Sequence, residues 1–118
     1  MGKLSRLIEP VVILAIKQHP NTHGYDLIQH VQRLAMTDSE IEAGAVYRML
    51  RQLENAGMVV STWDTSGHGP AKRLYSLTAD GEEHLAEWAQ LIEKRREEMD
   101  SFLRDFEETS KQSAEIAG

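Results

Sequence analysis

Between residues 44 and 52 the chain carries Gly44, Tyr47, Arg48 and Arg51, with Gln52 just beyond. At about 100° per residue these fall on one side of a helix, with Gln52 at its edge. Val46, Met49, Leu50 and Leu53 fall on the other side. A guanidinium is a planar fork that pairs with two acceptors at once, such as guanine O6 and N7 or two phosphate oxygens. A glycine on the same face removes bulk and lets a backbone come close. A helix held by aliphatic residues on one side and offering donors on the other suits nucleic-acid recognition better than catalysis. About twenty residues further on, Lys72 and Arg73 follow a Gly-Pro pair and could reach phosphates beside a groove.

Other chemistries find less support. The 118-residue chain has no cysteine, which excludes disulfides, thiolate zinc sites and cysteine nucleophiles. His19 and His23 are four apart, but Pro20 breaks the helix that would align them. His30 and His84 stand alone, and no His-Glu-x-x-His motif occurs. Ser61, Ser66 and Ser76 lack a nucleophile setting. Gly67-His68-Gly69 is not followed by the Lys-Ser/Thr of a phosphate loop. We therefore expect no enzyme, no catalytic residue, no metal and no cofactor.

Charge is unevenly divided. Residues 1–78 hold eight Lys/Arg against seven Asp/Glu, whereas residues 79–118 hold five against twelve, for a net charge of −6. An acidic total thus leaves room for a locally basic face on the first part. The longest apolar run, Val11–Ile16, is too short to span a bilayer. Nothing at the start reads as a secretory signal. The expectation is a cytoplasmic protein.

The elements that must position these residues follow from pattern. Pro10 suits the first turn of a helix that ends near His19 and is apolar on nearly every face. Part of that surface is expected to meet another subunit. Asn21 and Thr22 have capping chemistry, and Leu27, Ile28, Val31 and Leu34 form one stripe of a second helix opening at His23-Gly24-Tyr25. Tyr25 is expected to pack. Thr37, Asp38 and Ser39 make a polar break with capping potential. A third helix is expected over residues 41–56, stopped by Gly57. Residues 58–63 and 73–77 read as two strands around a loop at 65–70, with Trp63 as packing. Thr78 is the expected N-cap of a long helix over residues 82–108, with residues 110–118 frayed.

That long helix carries a heptad. With Leu85 at position a, Trp88 is d, Ile92 a, Arg95 d, Met99 a, Phe102 d and Phe106 a. A small domain cannot hide such a seam, so Leu85, Trp88, Ile92, Met99, Phe102 and Phe106 are expected at a dimer interface, with Arg95 either meeting an acid across it or lying where the helices diverge. The fold class expected is mainly α with a β-hairpin (α+β). It is a winged helix-turn-helix over residues 1–78 plus a long dimerisation helix over 79–118.

Three stretches carry a family resemblance. They are His23-Gly24-Tyr25-Asp26-Leu27, the run from Gly44 through Leu53 to Gly57, and the run from Gly69 through Tyr75 to Gly81. In order and spacing, over about residues 5 to 90, they resemble the signature stretches of PadR-type transcriptional regulators, in the subgroup with a single C-terminal helix. The resemblance implies a winged helix-turn-helix, a homodimer made by the C-terminal helix, and repression. It also implies that a flat aromatic effector could bind at the dimer interface, where Trp88 would be the stacking surface. The expected partners are double-stranded DNA with a near-palindromic operator, a second copy of the chain and such an effector, with no membrane. The expected DNA contacts are Gly44, Tyr47, Arg48, Arg51, Gln52, Lys72 and Arg73. The alternative is a winged-helix module that binds protein rather than a specific DNA site.

Overall fold

Each break in the hydrophobic pattern ends an element in the computed structural model, which describes residues 7–35 and 40–117. The order is α1 (Ile8–Gln18), β1 (Thr22–His23), α2 (Gly24–Leu34), α3 (Ala43–Asn55), β2 (Val59–Asp64), β3 (Lys72–Leu77) and α4 (Ala79–Ala117). The strands form one antiparallel sheet in the order β1-β3-β2. This is the winged helix-turn-helix expected, with one addition. The two-residue β1 pairs Thr22 with Tyr75 and His23 with Leu74, which makes the hairpin a three-stranded sheet.

The core is aliphatic. Val12, Ile13, Ala15, Leu27, Val31, Val46 and Leu50 have no exposed surface, and Ile16 and Val59 have almost none. Each of these valine, leucine and isoleucine side chains contributes about 1.5–3 kcal/mol by leaving water. Among the described residues no polar or charged side chain is buried, so nothing offsets that gain with an unpaired dipole. The expectation that α1 shares its apolar surface with another subunit is corrected here. Pro10, Val11, Val12, Ile13, Ala15 and Ile16 are buried within their own chain, and Leu14 alone in that run is half-buried.

The turn between α1 and α2 also departs from expectation. Asn21 and Thr22 do not cap α2, whose N-cap is His23 without a side-chain bond. Instead the Thr22 hydroxyl donates to the His19 carbonyl at 2.5 Å. Asn21 takes a left-handed φ of 59° and donates its N–H to the Tyr75 carbonyl at 2.9 Å. These bonds bring Thr22 and His23 alongside β3. Thr37, Asp38 and Ser39 lie outside the described residues. The Ile41 N–H ahead of α3 is held by the Gln32 side chain at 2.6 Å.

α3 ends in a Schellman turn. Gly57, at φ 79°, donates to the Glu54 carbonyl at 3.1 Å, and Met58 donates to the Leu53 carbonyl at 2.9 Å. The start of α4 is built on this turn. Thr78 donates its N–H to the Met58 carbonyl at 3.1 Å, and its hydroxyl oxygen accepts the Gly81 N–H at 3.0 Å, the N-cap expected. Gly81 lies directly against Met58. A Cβ there would sit 2.0 Å from the Met58 carbonyl oxygen.

The chain divides into two compact units, the first ending at Ala86 and the second beginning at Glu87. The first two turns of α4 belong to the first unit, where Lys17 meets Glu82 at 2.5 Å and His84 meets Glu9. The second unit is helix throughout, continuing to Ala117, so the expected fraying from residue 110 is not found. Leu91, Met99, Phe102, Leu103 and Phe106 stand exposed along it. Arg95 finds an acid on its own helix, Glu98, at 2.7 Å.

The contact between Gly81 and a backbone oxygen generates a stability prediction. Gly81→Ala should lower unfolding free energy by about 1–3 kcal/mol, because backbone rather than a flexible side chain must move. Gly67→Ala, with nothing within 4 Å of its Cβ position, should change stability by less than about 0.5 kcal/mol. Paired urea denaturation curves measure both.

Candidate nucleic-acid interface

The rotation of α3 about its axis is set by Val46, Leu50 and Leu53, which are buried at 0%, 0% and 4% exposure. Gly44, Tyr47, Arg48, Arg51 and Gln52 consequently face outward, and Met49 is half-buried at the boundary. Among the described residues Arg48, Arg51 and Lys72 form no ion pair. Their donors remain available to an external acceptor.

Tyr47 plays a second part. A Cβ at Gly24 would lie 2.9 Å from its Cε1. The N-terminus of α2 therefore approaches α3 closely only because residue 24 has no side chain. Beyond Gly24, Tyr25 is 70% exposed, which corrects its expected role as a packing residue.

Two polar joints fix the hairpin relative to the helices. At the first, Glu54 near the end of α3 accepts a hydrogen bond from the Ser61 hydroxyl at 2.6 Å and lies 3.7 Å from the Arg73 guanidinium. Arg73 also covers the ring of Trp63, its cross-strand partner, at 5.1 Å from the centroid. Trp63 is nevertheless 61% exposed, so it is not the packing residue expected. Of the two cations at the base of the hairpin, Lys72 forms no ion pair among the described residues, while Arg73 is held in a bracket between Glu54 and Trp63.

At the second joint, His23 Nε2 lies 3.0 Å from Asp64 Oδ2. The other Asp64 oxygen accepts from the Ser66 hydroxyl at 2.6 Å and the Ser66 N–H at 3.0 Å. The Ser66 hydroxyl, then its N–H, then the His23 bond hold the Asp64 carboxyl down to a pKa of about 2. Behind α2, His19 and His30 stack with centroids 3.6 Å apart. Burial, His19 and Arg33 lower the pKa of His30 against the opposing pull of Asp26. Stacked ring faces do not converge their lone pairs, and among the described residues no three His, Asp or Glu side chains gather around one point.

Between the start of α2, the outer face of α3 and the base of the hairpin lies a cleft of about 560 Å³. Tyr47, Arg51, Lys72 and Arg73 of the expected site line it, together with Tyr25, Trp63 and Tyr75. Gly44, Arg48 and Gln52 lie on the exposed α3 surface outside it. Sequence reasoning missed Tyr25, Trp63, His23, Glu54 and Asp64. The available signal was the register, since counting back from the loop sets Trp63 opposite Arg73 and Asp64 opposite Lys72. Trp88 and the remaining seam residues beyond Leu85 belong to the second unit.

The profile of the transcriptional regulator PadR-like family matches residues 12–87. No curated protein sequence matches the chain. Solved structures do. A PadR-like transcriptional regulator from Bacillus cereus is 22% identical, with TM-score 0.73 over 87% of this chain and 97% of that one. A PadR family transcription regulator from Clostridium difficile is 19% identical, with TM-score 0.71 over 82% and 98%. Bacillus subtilis PadR, solved in complex with operator DNA, is 19% identical, with TM-score 0.61 over 71% of this chain and 47% of that longer one. No helix among the described residues is long and apolar enough to cross a membrane.

The Asp64 joint predicts a pH dependence whose sign follows from its lowered pKa. The carboxylate's bonds to Ser66 and His23 are fully present above the ordinary carboxyl pKa of 3.8 and are lost as pH falls through about 2. Carboxyl-carbon NMR titration should give Asp64 a midpoint near 2, and Ser66→Ala should raise it toward 3.8. A midpoint already near 3.8 in the unaltered protein would show the joint open in solution.

Proposed function

Because the chain belongs to the PadR-like family of transcriptional regulators, we propose that it is a dimeric, sequence-specific DNA-binding repressor. The observation that carries this reading is α3. Its inner face is buried, while Arg48 and Arg51 project from its outer face without an ion pair among the described residues. Arginines so placed can pair bidentately with guanine edges in a major groove. Gly44, Tyr47 and Gln52 complete the surface that would enter the groove. Lys72 is the wing cation suited to a phosphate. Arg73 contributes through its charge and by holding the hairpin. The operator complex of the Bacillus subtilis neighbour supports the same use of the fold.

Dimerisation is supported by the second unit. Met99, Phe102 and Phe106 are 61%, 68% and 60% exposed at seam positions. Leu91 and Leu103 widen the stripe, and Leu85, Trp88 and Ile92 are half-buried in the single chain. A helix with this stripe is stabilised by a matching helix, and a second copy supplies one with twofold symmetry. Two third helices on that axis would read half-sites about one turn, roughly 34 Å, apart. Trp88, at a seam position, offers an indole plane to a flat aromatic effector at the interface.

The DNA reading is tested with fragments selected from the source genome. Arg48→Ala and Arg51→Ala should each weaken binding to a selected site by about 1–3 kcal/mol. Affinity should fall steeply with salt as counterions are released. A folded double variant that binds as tightly as the unaltered protein would overturn the assignment and leave the protein-binding module as the better reading. For assembly, light scattering at micromolar concentration should report a dimer, and Phe102→Asp with Phe106→Asp should convert it to monomer. A monomeric unaltered protein would refute the seam.

A further inference from the structure

Two acids precede the donor face of α3, and contact with DNA phosphates does not account for them. Glu40 and Glu42 are both exposed, and neither forms an ion pair among the described residues. Beside a polyanion, each weakens binding to any sequence. Glu42 is the N-cap of α3, with an extended backbone at φ −66° and ψ 133°. Its carbonyl accepts the Ala45 N–H at 3.1 Å, but its side chain makes no capping bond. Serine, threonine, asparagine or aspartate would cap a helix from this position. The Glu42 carboxylate therefore serves neither as a cap nor, among the described residues, as the partner of a cation.

Its position gives it another use. In a helix-turn-helix, the N-terminal residues of the recognition helix meet the base edges. A Cβ at Gly44 would lie 3.3 Å from Arg48 Nη1. The Arg48 guanidinium thus reaches back one turn over Gly44, toward the end of α3 that carries Glu42. A donor fork and an acceptor stand at the same tip of the helix. We propose that Glu42 is a specificity residue, accepting a hydrogen bond from the N4 amino group of a cytosine. That cytosine lies in the base pair next to the one whose guanine Arg48 contacts. The inference rests on the DNA reading proposed above. The choice of base follows from what each presents in the major groove. Guanine shows N7 and O6 and thymine shows O4, all acceptors that repel a carboxylate. Adenine sets its N7 acceptor beside its N6 donor, whereas cytosine presents a donor with no acceptor of its own. Glu40, ahead of the helix, acts through its charge alone.

The experiment selects a random duplex library with the full chain, in parallel with Glu42→Gln, Glu42→Ala, Glu40→Ala and Arg48→Ala. Loss of a guanine in the Arg48→Ala motif locates the base pair that Arg48 reads. The unaltered protein should fix a cytosine at a neighbouring pair, and changing it should weaken binding by about tenfold. Glutamine carries a donor and an acceptor that match adenine N6 and N7. Glu42→Gln should therefore enrich adenine at that position and leave the rest of the motif unchanged. Glu42→Ala should lose the preference there and bind non-specific DNA more tightly, because one negative charge is gone. Glu40→Ala should share that tighter binding and keep the cytosine. A carboxylate that serves only the helix dipole would change stability and not base choice. The inference is overturned if Glu42→Gln and Glu42→Ala enrich the unaltered motif, or if Glu40→Ala changes the same position equally. Failure of both Glu42 variants to fold would also overturn it, since the side chain would then hold the helix. In each of these cases a guanine lost with Arg48→Ala leaves the DNA reading standing. An unaltered protein that enriches no motif overturns both.

Discussion

The burial of Val46, Leu50 and Leu53 is the constraint on which the rest of the first unit depends. Three aliphatic side chains at spacings of four and three define a narrow stripe on α3. Rotating the helix by about 100° would put an arginine into an interior where, among the described residues, no polar or charged side chain is buried to receive it. Once the stripe is seated against α1, α2 and β2, the outward direction of Arg48 and Arg51 is no longer adjustable. The donor face is a consequence of the core, and it is rigid because the core is.

Polar joints then set what surrounds that face. Glu54 ties the end of α3 to both strands of the hairpin through Ser61 and Arg73. Asp64 ties the hairpin to the start of α2 through His23 and closes its own loop on Ser66. Both joints are partly exposed, so each contributes modestly to stability. Their value is orientational. They hold the wing base beside α3, and they take Arg73 out of the set of uncommitted cations. The cleft exists because these joints, together with the bare backbone of Gly24, bring three elements within reach of one another.

The second unit obeys a different rule. It is one helix whose apolar stripe has no layer of its own unit to cover it. A helix of this kind gains stability when its apolar stripe is covered. Two of its arginines pair within one turn, Arg95 with Glu98 and Arg96 with Glu93, and the stripe is the feature that would select a partner.

Much of this was legible in the sequence, because much of it rests on periodicity and local chemistry. The division of α3 into two faces, the stop at Gly57, the Thr78 cap, the hairpin and the heptad each depend on residues within one or two turns of each other. The misses share a cause. β1 consists of two residues with no strand pattern of their own, and it forms because Asn21 can take a positive φ and hand its N–H to Tyr75, more than fifty positions away. The length of α4 was underestimated because its last residues carry little apolar pattern, although they are helical. Tyr25 and Trp63 looked like core residues because large rings usually are, whereas only the assembled sheet and helices reveal that the core was already filled by aliphatic side chains. The pairing of Arg73 with Glu54 and of His23 with Asp64 joins residues 19 and 41 positions apart. Contacts at that separation leave no trace in local pattern, so the sequence by itself determined which face of α3 offers donors, and the tertiary structure decided which other side chains stand beside it.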